Sequence, residues 1–234
     1  DGFTPSWLST LLAVQSKSGY KAVDWGKKYS GGKKVLVVCT EERYMAMENG
    51  KKFSTGNHPV ETCVPIMHLK AAGFDFDIAT PSGKPACIEM WAMPLKDQAF
   101  MDFYEKDAKP KFDKPLSLAN VVANKPKLDR DYISLFLPGG HGAMLGLPED
   151  PSLEKAILHM AESGRFVISV CHGPAALLAV KTDPHPFKDH KIAAFPDSVD
   201  KQTPMIGYIP GKMPWYFGEK LTQAGMSIVN KGAD

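Results

Sequence analysis

The sequence predicts an α/β protein with a doubly wound parallel sheet and a small inserted lobe. Three observations carry that expectation. Short apolar, β-branched runs recur along the chain, helical stretches alternate with them, and one long segment breaks the alternation. Strands separated by helices build a parallel sheet covered on both faces. The chain has 234 residues, of which 44% are hydrophobic and 23% charged. That balance is ordinary for a globular domain with a sizeable core.

Residues 1–32 read as an irregular extension that wraps the domain or a partner subunit. Trp7, Trp25, Leu8, Leu11 and Leu12 argue against full disorder there. The main domain spans 33–234. KVLVVCT (34–40) suits a strand buried on both faces. The polar stretch 41–59 is too long for a plain connection, which points to a functional role. VETCVPIMHLKAAGF (60–74) has helical spacing, with Pro59 before it and Gly73 where a C-terminal cap belongs. FDIAT (76–80) is the second strand. Residues 81–128 mix prolines, aromatics and short helical stretches, and form the inserted lobe. The sheet resumes at 132–137, followed by a helix over 152–163 and Gly164. FVISVCHGPAALLAV (166–180) reads as a strand running into a helix. KIAAFP (191–196) is a further strand, PWYFGEKLTQAG (214–225) a helix and MSIVN (226–230) a last strand. A covering helix would normally follow, so residues missing after Asp234 are expected.

Composition narrows the function classes. The formal net charge is +2 and the lysines are scattered among acids, so no basic nucleic-acid face is expected. No apolar run reaches the roughly 18 residues a membrane span needs. The N-terminus lacks the pattern of a secretory signal, which points to the cytoplasm. Cys39, Cys63, Cys87 and Cys171 contain no C-x-x-C pair and read as reduced thiols.

The strongest chemical signal is Ser169-Val170-Cys171-His172-Gly173-Pro174. An apolar strand enters it and an Ala/Leu-rich segment leaves it. A nucleophile there sits on a sharp turn at the carboxyl end of the sheet, where α/β folds bind ligands. A helix N-terminus would favour the thiolate. The plain alternative, a cysteine serving as a small buried hydrophobe, is the better reading for Cys39 and Cys63. Pro138-Gly139-Gly140-His141-Gly142, at another strand end, can turn backbone N–H groups toward an oxyanion, or be only a loop. Glu61, at a helix start, is either a dipole contact or a carboxylate that shuttles a proton beside the thiol. His58 and His68 read as a loop histidine and a helix-face histidine.

EERY (41–44), ENGKKFSTGNHPVET (48–62), WAMP (91–94), PGGHGA (138–143), FVISVCHGPAA (166–176) and FPDSVDKQTPMIGYIPG (195–211) closely resemble the ThiJ/PfpI superfamily. More narrowly, they resemble its bacterial heat-shock chaperone branch, the HchA-type glyoxalase III and deglycase. The resemblance runs from about Lys33 to Asn230. It implies a flavodoxin-like sheet with a second lobe, and a homodimer. Cys171 matches the family nucleophile, His172 its catalytic histidine, Asp200 the third triad member and Glu61 the acid contacting the thiol. The amides of Gly140 and His172 match the oxyanion donors. Some members bind zinc at positions that here are Lys70, Asp75 and Asp107; a lysine and two acids are poor zinc ligands, so neither metal nor cofactor is expected. The family also continues past the present end.

The implied activity is cofactor-independent conversion of methylglyoxal or glyoxal to D-lactate or glycolate, and deglycation of proteins and nucleotides. A holding chaperone for unfolding proteins is the second expectation. A cysteine peptidase or amidohydrolase is the third.

Overall fold

The structure is a computed structural model that describes residues 2–7, 9–10, 14–230 and 232. Leu8, Leu11, Leu12 and Asp234 lie outside the described residues. The strands are β1 Lys34–Val38, β2 Tyr44–Ala46, β3 Lys52–Ser54, β4 Phe76–Thr80, β5 Leu116–Ser117, β6 Tyr132–Leu137, β7 Phe166–Ser169, β8 Lys191–Ile192 and β9 Ser227–Ile228. The α-helices are α1 Pro59–Ala71, α2 Gln98–Phe103, α3 Lys109–Asp113, α4 Leu118–Ala123, α5 Lys125–Asp131, α6 Pro151–Glu162, α7 Asp197–Asp200 and α8 Phe217–Gln223.

The central sheet runs β5-β4-β1-β6-β7, and every ladder in it is parallel. β1 lies in the middle, with its chain continuation on one side (β4) and the later strands on the other (β6, β7). The sheet is doubly wound in the flavodoxin-like manner, and its five strands, counted as they occur along the chain, stand in the order 3-2-1-4-5. The reversal between β1 and β6 leaves a crevice at their carboxyl ends.

Alternation along the strands divides the core in two. Leu36 and Val38 of β1 join Leu135 and Leu137 of β6 on one face, against Leu153, Ala156, Ile157 and Met160 of α6. Val35 and Val37 face the other way, against Cys63, Ile66 and Met67 of α1 and Phe100, Tyr104 and Phe112 of the 98–113 region. Each such buried side chain contributes about 1.5–3 kcal/mol of burial. The i, i+3, i+4, i+7 spacing of the four α6 residues makes one apolar stripe. Asp150 starts that helix by accepting from Leu153 N at 2.6 Å.

Several expectations change in detail. The polar stretch after β1 contains an antiparallel hairpin, β2–β3. The segment 81–128 divides at Leu116. Its earlier part, including a π-helical turn over Tyr104–Ala108, packs on the α1 side. Its later part supplies the sheet's edge strand β5 and then α4. β8 and β9 pair in parallel with each other and not with β7. Ala193–Phe195 runs past the end of β7 and meets it at Phe195 N–H donating to Cys171 O, at 3.0 Å. The Ala/Leu-rich segment after Cys171, expected as an α-helix, winds as a 3₁₀-helix over Gly173–Ala179.

In the N-terminal extension, Phe3 pairs with Phe53 beside β3, and Tyr29 N donates to Ala72 O at 2.8 Å. Tyr20 and Trp25 pack on His68, with ring centroids 4.8 and 6.1 Å away. Among the described residues, no helix is long and apolar enough to cross a membrane.

Candidate active site

Cys171 follows β7 and holds a positive φ of 55°. A non-glycine residue there is strained and persists only where its surroundings impose it. The turn closes when Gly173 N donates to Val170 O at 2.7 Å, and Val170 N ties back to Leu137 O at 3.3 Å. The strained turn thus lifts the thiol out of the sheet, at the carboxyl ends of β6 and β7.

Cys171 Sγ lies 3.2 Å from His172 Nδ1. His172 Nε2 lies 2.9 Å from Asp200 Oδ2, and Asp200, on α7, is fully buried. A carboxylate only accepts, so Nε2 carries the hydrogen and Nδ1 is left as an acceptor toward sulfur when the ring is neutral. The His172 ring stacks on Phe195 at 4.7 Å between centroids and touches Phe217 at 5.3 Å, which fixes its plane.

Glu61 reaches the thiol from the start of α1. His58 caps that helix, its Nδ1 facing Glu61 N at 3.4 Å, and Pro59 takes the first turn. Glu61 Oε2 is buried with no hydrogen-bond partner among the described residues. A side chain at Gly139 would collide with both Glu61 Oε2 and Cys171 Cβ, so only glycine lets the β6 loop pass between them. Gly140 follows with φ 96°, and its N–H donates no hydrogen bond among the described residues. The His172 N–H acts on the Cys171 thiol in the lowering direction, against burial. The structure therefore brings Cys171, His172, Asp200, Glu61 and the Gly140 loop to one crevice.

The electrostatics correct one expectation. The thiol is not poised as a free thiolate: burial, and next the Glu61 carboxyl, push Cys171 well above its ordinary value. Cys39 and Cys63, sealed in the core, are also pushed up by burial. Burial alone would raise Asp200, but the imidazoles of His172 and His141 outweigh it and hold its carboxyl well below the usual range.

A cavity of about 250 Å³ opens over the sulfur, with His58, Glu89, His141 and Tyr208 in its wall beside Cys171 and Glu61. Sequence reasoning assigns no role to Glu89 or Tyr208 and reads His58 as a loop histidine. Glu89 is 1% exposed and accepts from Thr55 Oγ1 at 2.5 Å. Burial raises its pKa. An acid inside the apolar run ACIEMWAM was the available signal for it.

The family's zinc positions fail a fit test. Lys70 Nζ is ion-paired to Asp107, and Asp75 faces Lys111 at 3.9 Å. An ammonium has no lone pair to offer a metal, so Lys70 supplies no ligand, and the carboxylates of Asp107 and Asp75 face Lys70 and Lys111 instead of a third donor. His141, His172 and Asp200 each bring a potential ligand atom within 4.8 Å of the others, but these atoms are already paired in hydrogen bonds.

Relatives share this architecture. The model of the DJ-1/PfpI family matches residues 52–201. A protein/nucleic acid deglycase HchA from Escherichia coli O1:K1 is 49% identical over 230 residues, covering 98% of this chain and 81% of the relative. The HchA deglycase of Escherichia coli O157:H7 (strain EC4115) is 48% identical over the same shares. A glyoxalase III from Candida albicans superposes with a TM-score of 0.65 at 21% identity, over 87% of this chain and 85% of that one. The Rapid Encystment Protein 24 KDa of Francisella tularensis superposes at 0.69 with 22% identity, over 86% and 85%. These two structures share the fold. With a family match across the elbow and near-complete similarity to the curated relatives, the chain belongs to the DJ-1/PfpI family.

Proposed function

We propose that this chain is a cofactor-independent glyoxalase and deglycase that works through Cys171. The observation that carries the reading is the Cys171 thiol, lifted at positive φ into a small cavity, 3.2 Å from a histidine that a buried carboxylate orients. Substantial identity to proteins named protein/nucleic acid deglycase supports the substrate class.

The chemistry follows from the geometry. Cys171 sulfur adds to the aldehyde carbon of methylglyoxal while His172 Nδ1 takes the thiol proton, so the raised thiol pKa is overcome only when an electrophile is present. The resulting oxyanion lies within reach of the Gly140 and His172 amides and is protonated to a hemithioacetal. Glu61, whose Oε2 has no partner at rest, removes the proton from the former aldehyde carbon. It returns that proton to the neighbouring carbon through an enediol, giving a thioester. Water then cleaves the thioester, releasing lactate and restoring the thiol. With a glycated amine, sulfur displaces the amine from the hemiaminal carbon, the amine leaves with a proton, and the same hemithioacetal results.

The test is incubation of purified protein with methylglyoxal without glutathione. Lactate should form with wild type and be abolished in Cys171→Ala. Turnover by neither protein, or by both equally, would rule the reading out.

Holding of unfolding clients is a second activity, supported by the exposed Trp7, Met205 and Ile206. Ser9 Oγ donates to Ile206 O at 2.7 Å, which brings the N-terminal segment to that loop. Suppression of aggregation should survive Cys171→Ala and fall in the double variant Met205→Ser, Ile206→Ser. A homodimer belongs to the same proposal, and sedimentation would test it.

A further inference from the structure

His141 lies outside the thiol–imidazole–carboxylate chain, yet it makes the same contact with Asp200 that His172 does. Its Nε2 lies 3.0 Å from Oδ1, as His172 Nε2 lies 2.9 Å from Oδ2. The two rings are 4.0 Å apart between centroids. His141 is 4% exposed, His172 2% and Asp200 0%. One carboxylate thus serves two buried imidazoles, one per oxygen. A single negative charge can balance a single cation here; protonating both rings would bury a net positive charge, which is costly.

The surroundings decide which ring holds the cation. His141 faces Asp200 from α7, feels the carboxyls of Glu89 and of Glu61 on α1, and has Tyr208 at 6.1 Å. His58, capping α1, lines the same cavity. His172 faces Asp200 and feels Glu61 too, but not Glu89, and its other neighbours are the Cys171 thiol, the apolar rings of Phe195 and Phe217, and His141 itself. We propose that His141 is the cationic partner of Asp200, a positioning residue that steadies the shared carboxylate and keeps His172 neutral and ready to accept the Cys171 proton. Two trends agree. Burial would lower His141, but Asp200 and the nearby carboxyls outweigh it and the net direction is up. His172 is driven down, by burial first and His141 next, despite Asp200 and Glu61. This inference rests on the reading of Cys171 and His172 as the reacting pair.

The experiment compares wild type with His141→Gln and His141→Phe by two readouts. One is the pH dependence of kcat/KM for methylglyoxal; the other is the NMR titration of the His172 ring. Without the neighbouring cation, His172 binds its proton more tightly. The acidic limb and the His172 titration should both move to higher pH, by about one unit, which is a tenfold loss of kcat/KM on that limb. A folded His141→Gln protein whose limb and His172 titration coincide with wild type overturns the inference. If His141→Phe fails to fold, His141→Gln alone decides. If wild type proves inactive, or Cys171→Ala keeps full turnover, the reading of the reacting pair fails separately. The NMR titration then judges His141 alone.

Discussion

At the scale of single residues, burial and Glu61 push the Cys171 thiol toward its protonated form, and the proposed mechanism ionises it only when an electrophile is at hand. Glu61 both raises the Cys171 pKa and offers an unpaired oxygen beside it, so Glu61→Gln should separate two readouts. Turnover should fall about 10²-fold or more, the range expected when a general base is lost. Alkylation of Cys171 by iodoacetamide near neutrality should become faster, because a charge opposing the thiolate has gone. Slower alkylation in the folded variant would contradict the assigned electrostatics. Asp200 gives a stability prediction. Its folded pKa lies below its unfolded value, so its contribution is complete above the ordinary carboxylate range, near about pH 4, and is lost as pH falls toward the depressed folded value. Denaturant titrations of Asp200→Asn should show a deficit against wild type at pH 7 that shrinks steadily below about pH 4. A deficit that is constant with pH would show that packing, not charge, accounts for it. The candidate nucleophile Cys171 was legible because strand, Cys-His-Gly-Pro and a compact apolar segment adjoin in sequence, whereas the roles proposed for His172 and Asp200 came from the family resemblance. The sharing of Asp200 by His141 and His172 was not, since it depends on how the loops after β6 and β7 meet α7, and sequence spacing holds no such information.

At the scale of elements, the runs over 34–38, 76–80 and 132–137 were readable because parallel strands covered on two faces leave largely apolar stretches, and the edge strand over 166–169 was readable from its apolar residues although Phe166 and Ile168 are exposed. The β2–β3 hairpin was hidden by its polar residues, although Asn49-Gly50 is a strong turn signal. The separation of β8 and β9 from β7 was not readable either, because pairing partners of two-residue strands are set by tertiary approach and not by pattern. The β6 loop carries the sharpest test at this scale. Gly139→Ala adds one methyl between Glu61 and Cys171. Lactate formation should drop about 10²-fold, the scale of a misplaced reacting group, with the far-ultraviolet circular dichroism unchanged. Wild-type turnover would show that the crevice has slack. In α1, Ile66→Ala removes a fully buried side chain packed on β1 and should cost about 2–5 kcal/mol in denaturant unfolding.

At the scale of the whole molecule, the doubly wound sheet brings the loops after β6 and β7 and the start of α1 to one crevice. Here an ion pair between Lys70 and Asp107 stands at the resemblance-derived zinc positions. Dialysis against a chelator should leave the melting temperature and turnover unchanged, and a loss restored by zinc would contradict that reading. The central claim is that one sulfur makes and breaks the bond to the dicarbonyl, and intact-protein mass spectrometry tests it most directly. Brief exposure of Glu61→Gln protein to methylglyoxal, quenched with acid, should reveal one substrate adduct that peptide mapping assigns to Cys171. An adduct confined to lysines and arginines, with Cys171 unmodified, would contradict the account.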